Sequence, residues 1–513
     1  MSFDRKAAQD MGRIWAQDPQ QHGSASWADP DHLLQRGYGP WGRHTLGFLP
    51  SEDTRQGALP ITYGGDRHQL IVAPTRGGKG VSGAILRALE HPGSMIVIDN
   101  KDGEIARITA RYRRDVLGQN VVLIDPFDVV ASALEMDQAQ INPMRRVDLD
   151  GDDAFDDAML LASSLVVPSG PQDTHWDAEA ASLLAGLILR EAELGGTLVD
   201  VRAALNRDAD AFIAYVNDMA ASAYPLVQAA AGRIMSKEAR EFSGVLSTAH
   251  RNTHFLESGK LAASLSGASV ALSDIGEGTT IFLIQPARRI GTSKSYLRLQ
   301  IAYFMDLVMS LPARPSEPVL FLLEEMATLG RMAQIEQAFG LMAGFGLQIL
   351  AVIQDFTQLR DLYRDRWQTF VANAATVQCF GTNDHFTAEY LSKLAGTGSV
   401  ETLSYDSAER RAGLFSDPYW AGTADRITGR ALIMPDELMS LPPHVQFIAL
   451  AGARPAMAYR PAYFLDARFR GRGGVPLYDN HPNHAHLPIP GAYDFTAPRL
   501  ELDELLPQYL KVG

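Results

Sequence analysis

Short apolar runs rich in Val, Ile, Leu and Phe recur along the chain, and most are followed at once by Gly, Pro, Asp or Asn. Continuous rather than alternating apolar runs are the pattern of strands buried on both faces, each ending in a loop. The pattern predicts strands at Gln69–Ala73, Ser94–Asp99, Asn120–Asp125, Thr279–Gln285, Pro318–Leu323, Leu347–Gln354, Ala375–Phe380 and Val445–Ala451. Helical spacing fills several of the intervals, as at Val81–Glu90 and Ser295–Ser310. Buried strands alternating with helices imply an α/β fold with a mostly parallel central sheet covered on both sides.

Between about Asp152 and Gly276 the strand rhythm stops. The sequence becomes rich in Ala, Leu and Met at helical spacing, as in Asp177–Glu193 and Ala209–Ala221, which reads as an all-α insertion. The expected division is an N-terminal segment 1–60, an α/β core 61–150 and 277–469, an all-α domain 151–276, and a tail 470–513. The tail is loop-like, with Gly471, Gly473, Gly474, Pro476, Pro482, Pro488 and Pro490 ahead of an acidic amphipathic stretch, Leu500–Leu510. It reads as a segment that wraps a neighbour or recruits a partner, or else packs on its own domain. His481, His484 and His486 lie in it without a Cys or carboxylate framework, so exposed loop histidines are expected rather than a metal site.

Composition narrows the picture. With 513 residues, 46% hydrophobic and 21% charged, the chain is an ordinary folded protein, longer than the roughly 250–300 residues at which single cores stop growing. Lys and Arg number 46 against 60 Asp and Glu, a net charge of −14. That argues against a protein that simply coats nucleic acid, while leaving room for a basic channel on an acidic body. The basic clusters Arg107–Arg114 and Arg288-Arg289 are read as solvated faces, with a DNA-facing surface as the alternative. Cys379 stands alone in an apolar run and reads as a small buried hydrophobe in a reducing compartment. No secretory signal opens the sequence and no apolar run reaches about 18 residues, so a cytoplasmic chain is expected.

The clearest chemistry lies in Leu70-Ile71-Val72-Ala73-Pro74-Thr75-Arg76-Gly77-Gly78-Lys79-Gly80-Val81, a strand leading through a Gly-rich loop into a helix. Small residues let backbone N–H groups curl around phosphates, and the helix N-terminus adds positive potential. Pro74, Thr75, Arg76, Gly77, Gly78, Lys79, Gly80 and Val81 are therefore the candidate phosphate-binding residues, with Lys79 reaching the β and γ phosphates. Against the pattern G-x-x-x-x-G-K-[ST], Ala73 stands at the first Gly and Gly80 at the Ser/Thr. Gly80 offers no hydroxyl to Mg²⁺. Ser82, about 200° further round a helix, is no obvious substitute.

A second feature, Val319-Leu320-Phe321-Leu322-Leu323-Glu324-Glu325, is a buried strand ending in two carboxylates. In P-loop ATPases the first such acid supports the metal through water and the next activates the attacking water. Glu324 is thus the Mg²⁺-side acid and Glu325 the water-activating one. Gln354 ends the following strand, where its amide can sense a γ-phosphate at the same carboxyl edge.

The order of motifs resembles the type IV coupling proteins, the RecA-like ATPases of bacterial conjugation and type IV secretion. The resemblance rests on Ala73–Gly80, Asp99-Asn100-Lys101-Asp102-Gly103-Glu104, Ile141-Asn142-Pro143, Phe321–Gly330 and Ile353–Leu359. Asn373, Gly381-Thr382-Asn383-Asp384 and Leu391-Ser392 complete the series, which runs from about Gly23 to Asp466. It implies a RecA-like P-loop NTPase domain with an inserted all-α domain, ATP and Mg²⁺ as cofactors, and hydrolysis at the subunit interfaces of a hexameric ring. It further implies DNA, a relaxase or effector protein, and type IV secretion components as partners. A Lys-Gly end to the P-loop is usual in one branch of the family, whereas Glu324 replaces the usual Asp. Coupling proteins usually begin with two transmembrane helices, and His22–Ala28 resembles the segment after them. A soluble member or a cytosolic fragment is expected, docking at the inner membrane through a partner. Arg360, Arg364, Arg366 and Arg430 are candidates for an arginine contributed to a neighbouring subunit's site. Two other functions fit: a nucleotide-binding recruitment adaptor with weak or no hydrolysis, and a DNA-translocating ATPase of mobile-element maintenance or defence.

Overall fold

The structure, a computed structural model, describes residues 23–49, 59–170, 173–267, 275–276, 278–404 and 424–481. Its strands are β1 (His44–Leu49), β2 (Leu59–Tyr63), β3 (Gln69–Val72), β4 (Met95–Asp99), β5 (Asn120–Ile124), β6 (Thr279–Ile284) and β7 (Val319–Leu323). They continue with β8 (Leu347–Ile353), β9 (Thr376–Cys379), β10 (Thr397–Ser404), β11 (Ala424–Ala431), β12 (Val445–Leu450) and β13 (Ala456–Tyr459). Eleven of them form one sheet in the order β2-β1-β13-β12-β9-β3-β8-β7-β4-β6-β5, and β10 pairs with β11 in a separate ribbon.

Every pairing from β9 across to β5 is parallel, and those linking β9, β12, β13, β1 and β2 are antiparallel. All eight predicted strands form. The antiparallel strands β1, β2 and β13 escape the apolar-run criterion because His44, Thr45 and Gly47 interrupt β1, Pro60 interrupts β2, and β13 spans only Ala456–Tyr459. Pro60 is tolerated because β2 is an edge strand, where a missing N–H leaves no ladder bond unmade. The sheet thus begins at His44, inside the segment expected to lead into the core.

Alternate residues of the parallel strands feed two cores. On β7, Val319, Phe321 and Leu323 face one cluster, while Leu320 and Leu322 face the other with Val81, Ala84 and Ile85 after the Gly-rich loop. The first cluster runs on without a break into helices of the 151–276 stretch, through Ala158, Leu161, Leu184 and Ile188. The described residues of that stretch contain helices and no strand, including Ala154–Leu165, Thr174–Glu193, Leu198–Leu205, Ala209–Ala220, Pro225–Met235 and Ala239–Thr253. Thr197 caps Leu198–Leu205 through a capping box with Asp200, and Asp208 caps the next helix by accepting from the Ala211 N–H at 2.8 Å.

The helix Glu104–Asp115 does not present an open basic face. Arg113 is fully buried and donates to Thr280 Oγ1 (2.6 Å), the His91 carbonyl (3.0 Å), the Gly93 carbonyl (2.9 Å) and Gln119 Oε1 (2.7 Å). Burial lowers it to about 9, still protonated at neutral pH. Arg107 and Arg111 reach the carbonyls of Val129 and Leu134, so they clamp the 129–134 segment. The described part of the tail packs on the chain itself: Tyr478 joins the second core with Tyr463 and Phe469 of the preceding segment, and the Asp479 N–H donates to the Ile108 carbonyl at 3.1 Å. His481 is buried rather than exposed, while His484, His486 and Leu500–Leu510 lie outside the described residues. Among the described residues no helix is long and apolar enough to cross a membrane.

Phe321 is wholly buried in the sheet, so Phe321→Ala should lower the unfolding free energy by about 3–5 kcal/mol in urea titrations. His68 is buried with Nδ1 accepting from the Ile349 N–H (3.0 Å) and Nε2 facing the Ala338 carbonyl (2.8 Å), an arrangement for the neutral ring alone. Burial pulls its pKa to about 4. The unfolded ring takes up its proton near 6.5, so this stability is complete above that pH and is lost as pH falls toward 4. The loss amounts to about 3 kcal/mol, and His68→Gln should flatten the pH dependence of the urea midpoint over that window.

Candidate nucleotide-binding site

Parallel pairing brings the carboxyl ends of β3, β8, β7 and β4 side by side, which is where ligands of open α/β sheets bind. The loop after β3 starts with a tight turn, the Gly77 N–H donating to the Pro74 carbonyl at 2.9 Å. Thr75 and Arg76 are exposed, and Arg76 holds a left-handed φ of 62°. The helix after the loop opens as a π-helical turn, Gly80–Ala84, before becoming α-helical at Ile85–Glu90. A wide first turn is common at functional sites. Val81 is buried in the second core, so it can offer a ligand only its backbone.

Three of the four predicted catalytic side chains meet. Lys79 is buried and its ammonium is bonded to Glu325 Oε1, while the Gln354 amide donates to Glu325 Oε2 at 3.1 Å. Burial pushes the Glu325 pKa up, but Lys79 and Gln354 outweigh it and hold the carboxylate below its usual range. Glu325 also sits at a left-handed φ of 52°, a conformation that costs a non-glycine residue energy and concentrates at functional sites.

Glu324 belongs to a second charge pair. Its side chain is 1% exposed, and Lys101 donates to Oε1 at 2.5 Å. Burial raises Glu324 above the usual carboxylate range, Lys101 opposing. Ile98 lies opposite Leu323 in the sheet, which sets Asp99 beside Glu324. Asp99 accepts from the Ala106 N–H at 2.8 Å, and burial, then the neighbouring Glu324, lifts its pKa far above the ordinary aspartate range. Glu104 closes this side: its Oε1 is 2.6 Å from His481 Nε2 and 3.7 Å from where a Cβ on Gly80 would stand. Gly80 is therefore not demanded by space, and a carboxylate lies beside the place a Ser or Thr hydroxyl would occupy.

These groups suit a hard cation held partly by its ligand. Asp99 Oδ1 and Glu324 Oε2 are buried oxygens with no hydrogen-bond partner. Among the described residues no three His, Cys, Asp or Glu side chains could hold a metal by themselves. Mg²⁺ fits such a place, since it normally takes one or two carboxylates and completes its shell with phosphate oxygens and water.

Lys101, Asp99 and Glu104 fall in the 99–104 run noted in the sequence, but only the fold shows that they face Glu324 and Gly80. Arg460 carried no sequence signal; its guanidinium reaches the Gly77 carbonyl at 2.7 Å. Three of the four arginine candidates are engaged within the chain: Arg360 lies over Phe386 (4.1 Å), Arg366 pairs with Glu336 (2.7 Å), and Arg430 with Glu437 (2.5 Å), while Arg364 is exposed.

A parallel sheet with a Gly-rich loop, a Lys and strand-end carboxylates at its carboxyl edge defines a RecA-like P-loop nucleotide-binding protein. Residues 26–484 match the family model described as type IV secretory system conjugative DNA transfer, and the chain belongs to that family, the type IV coupling proteins. It is 25% identical to the conjugal transfer protein TraG of Escherichia coli over 515 residues, covering 89% of this chain and 78% of that one. It is 27% identical to the protein VirD4 of Rhizobium radiobacter over 475 residues, covering 87% of this chain and 64% of the relative. Among solved structures, the bacterial conjugative coupling protein TrwBdeltaN70 shares the fold, with a TM-score of 0.66 at 16% identity over 86% of this chain and 93% of its own. TrwB has also been solved in complex with ADP and Mg²⁺, at a TM-score of 0.61 and 16% identity, covering 85% of this chain and 94% of its own.

The Lys101–Glu324 pair makes its own prediction. Lys101→Met leaves the buried Glu324 carboxylate without its partner and should destabilise the chain by about 1–3 kcal/mol. Adding Glu324→Gln should restore most of that stability in urea unfolding, because no unpaired charge then remains.

Proposed function

We propose that this coupling protein is an ATP-driven motor that recruits a relaxase–DNA complex or a protein effector and delivers it to a type IV secretion channel. The observation that carries the reading is Glu325, held between Lys79 of the P-loop and Gln354 of the next strand. The conjugal-transfer relatives and the nucleotide-bound TrwB structures support it.

Paired with Glu325, Lys79 neutralises the residue suited to activate water. Phosphates in the loop compete for the Lys79 ammonium, and its departure leaves Glu325 a free carboxylate that can take a proton from a water aligned by Gln354. Glu324, with Asp99 and Glu104 nearby, would hold Mg²⁺, which supplies charge neutralisation at the phosphates when bound. We take 61–150 and 277–469 as the motor core, 151–276 as a helical insertion, and the working form as a hexameric ring around the substrate. Location at the inner membrane through secretion partners belongs to the same proposal.

The Lys101–Glu324 pair favours a second reading, a recruitment adaptor that binds nucleotide and hydrolyses it slowly, because Glu324 already has a cation of its own.

ATP turnover by the chain, with and without single- and double-stranded DNA and with its mass in solution recorded, tests the motor. DNA-stimulated turnover with assembly into a ring is expected. Lys79→Ala and Glu325→Gln should each reduce it at least about a hundredfold with folding intact, and unchanged turnover in either overturns the assignment. Glu324→Asp separates the readings: a large gain marks a weakened site and the adaptor, a loss marks a site tuned to Glu.

A further inference from the structure

Arg460 follows β13 directly, where the antiparallel half of the sheet returns beside the P-loop. It is 7% exposed. Nη1 donates to the Pro443 carbonyl at 2.8 Å and Nη2 to the Gly77 carbonyl at 2.7 Å, with Ser82 Oγ at 3.5 Å from Nη2. The guanidinium carbon lies 4.4 Å from the centroid of the Phe380 ring. Stacked and doubly bonded, it has little freedom to move. Burial lowers its pKa to about 10, so it keeps its charge at neutral pH.

The carbonyl it holds belongs to the phosphate-binding loop. A trans peptide points its C=O and N–H in opposite directions. Drawing the Gly77 oxygen toward Arg460 therefore turns the Gly78 N–H away from the guanidinium. The reverse orientation would aim a carbonyl oxygen, the negative end of the peptide dipole, where an anion needs a donor. Gly78 makes the arrangement feasible, since its φ is +80° and a Cβ there would lie 1.9 Å from Arg460 Nη2.

We propose that Arg460 is a positioning residue for nucleotide binding, fixing the 77–78 peptide so that the Gly78 N–H faces the phosphates. The proposal rests on the reading of Pro74–Val81 as the nucleotide loop. A contact serving only to hold β13 against the loop would change stability, and affinity would follow stability. An orienting contact changes affinity even where the chain is fully folded.

The test is the affinity for fluorescent ADP and ATP analogues at a temperature where circular dichroism shows each variant folded. Arg460→Met should bind about tenfold more weakly, the loss of one charge-assisted hydrogen bond. Arg460→Lys should recover most of this, because an ammonium can still take the Gly77 carbonyl. Phe447→Leu, in β12 beside β13 and away from the guanidinium, should lower the melting temperature yet bind almost as wild type. Wild-type affinity in Arg460→Met, or an equal loss in Phe447→Leu, overturns the proposal. Should Arg460→Met not fold, the wild-type chain decides: the Gly78 amide, followed by NMR of glycine-labelled protein, must become protected from exchange when ADP binds, and an unprotected amide overturns it. A wild-type chain that binds neither analogue overturns the loop's assignment and this proposal together, whereas binding that ignores Arg460 overturns this proposal alone.

Discussion

A charge taken out of water must be paired, and at the carboxyl edge of the parallel strands that requirement organises the whole site. Asp99, Glu104, Glu324 and Glu325 converge there from β4, the helix after it and β7. Lys79, Lys101 and His481 meet three of them. The strands have no freedom to relieve this crowding, because both of their faces are filled with Val, Leu, Ile and Phe. The carboxylates therefore stay where the register sets them, and the lysines come to them.

That pairing gives the site a definite character. Lys79 and Glu325 neutralise each other, and Lys101 does the same for one oxygen of Glu324. A phosphate-bearing ligand is the kind of charge that can exchange partners with Lys79 without leaving an ion bare. The left-handed backbone at Glu325 and the π-helical turn at Gly80–Ala84 show local strain held by the sheet around them. The same logic applies to Arg113 and Arg460, buried cations satisfied mainly by backbone carbonyls rather than by carboxylates.

The antiparallel half of the sheet ties distant parts of the chain to this edge. β1 and β2, from the N-terminal side, and β12 and β13, from near the other end, form one surface that ends at Arg460. The chain from Tyr463 into the tail then crosses the P-loop side of the core, placing Tyr463, Phe469, Tyr478 and His481 against the helix Glu104–Asp115 and its neighbours. The site is thus touched by segments nearly 400 positions away in sequence, the nucleotide loop at Gly77 by Arg460, and Glu104 beside it by His481.

What the sequence determined by itself is the central parallel strands, the Gly-rich loop and the strand-end residues Glu324, Glu325 and Gln354, together with the family. These were legible because a strand buried on both faces has to be written as a continuous apolar run, and its functional residue has to follow that run directly. The antiparallel strands β1, β2 and β13 were not, because strands that are very short or broken by Gly, Thr or Pro carry no such signature, whereas antiparallel β12 is a continuous apolar run and was legible. Tertiary structure alone decided the partners: that Lys79 rests on Glu325, that Lys101 reaches Glu324, that Arg113 is buried, that His481 closes on Glu104, and that Arg460 holds the loop. Charge pairing depends on which side chains the register and the chain's return bring within about 3 Å, and no local pattern along the chain encodes a distance between residues hundreds of positions apart.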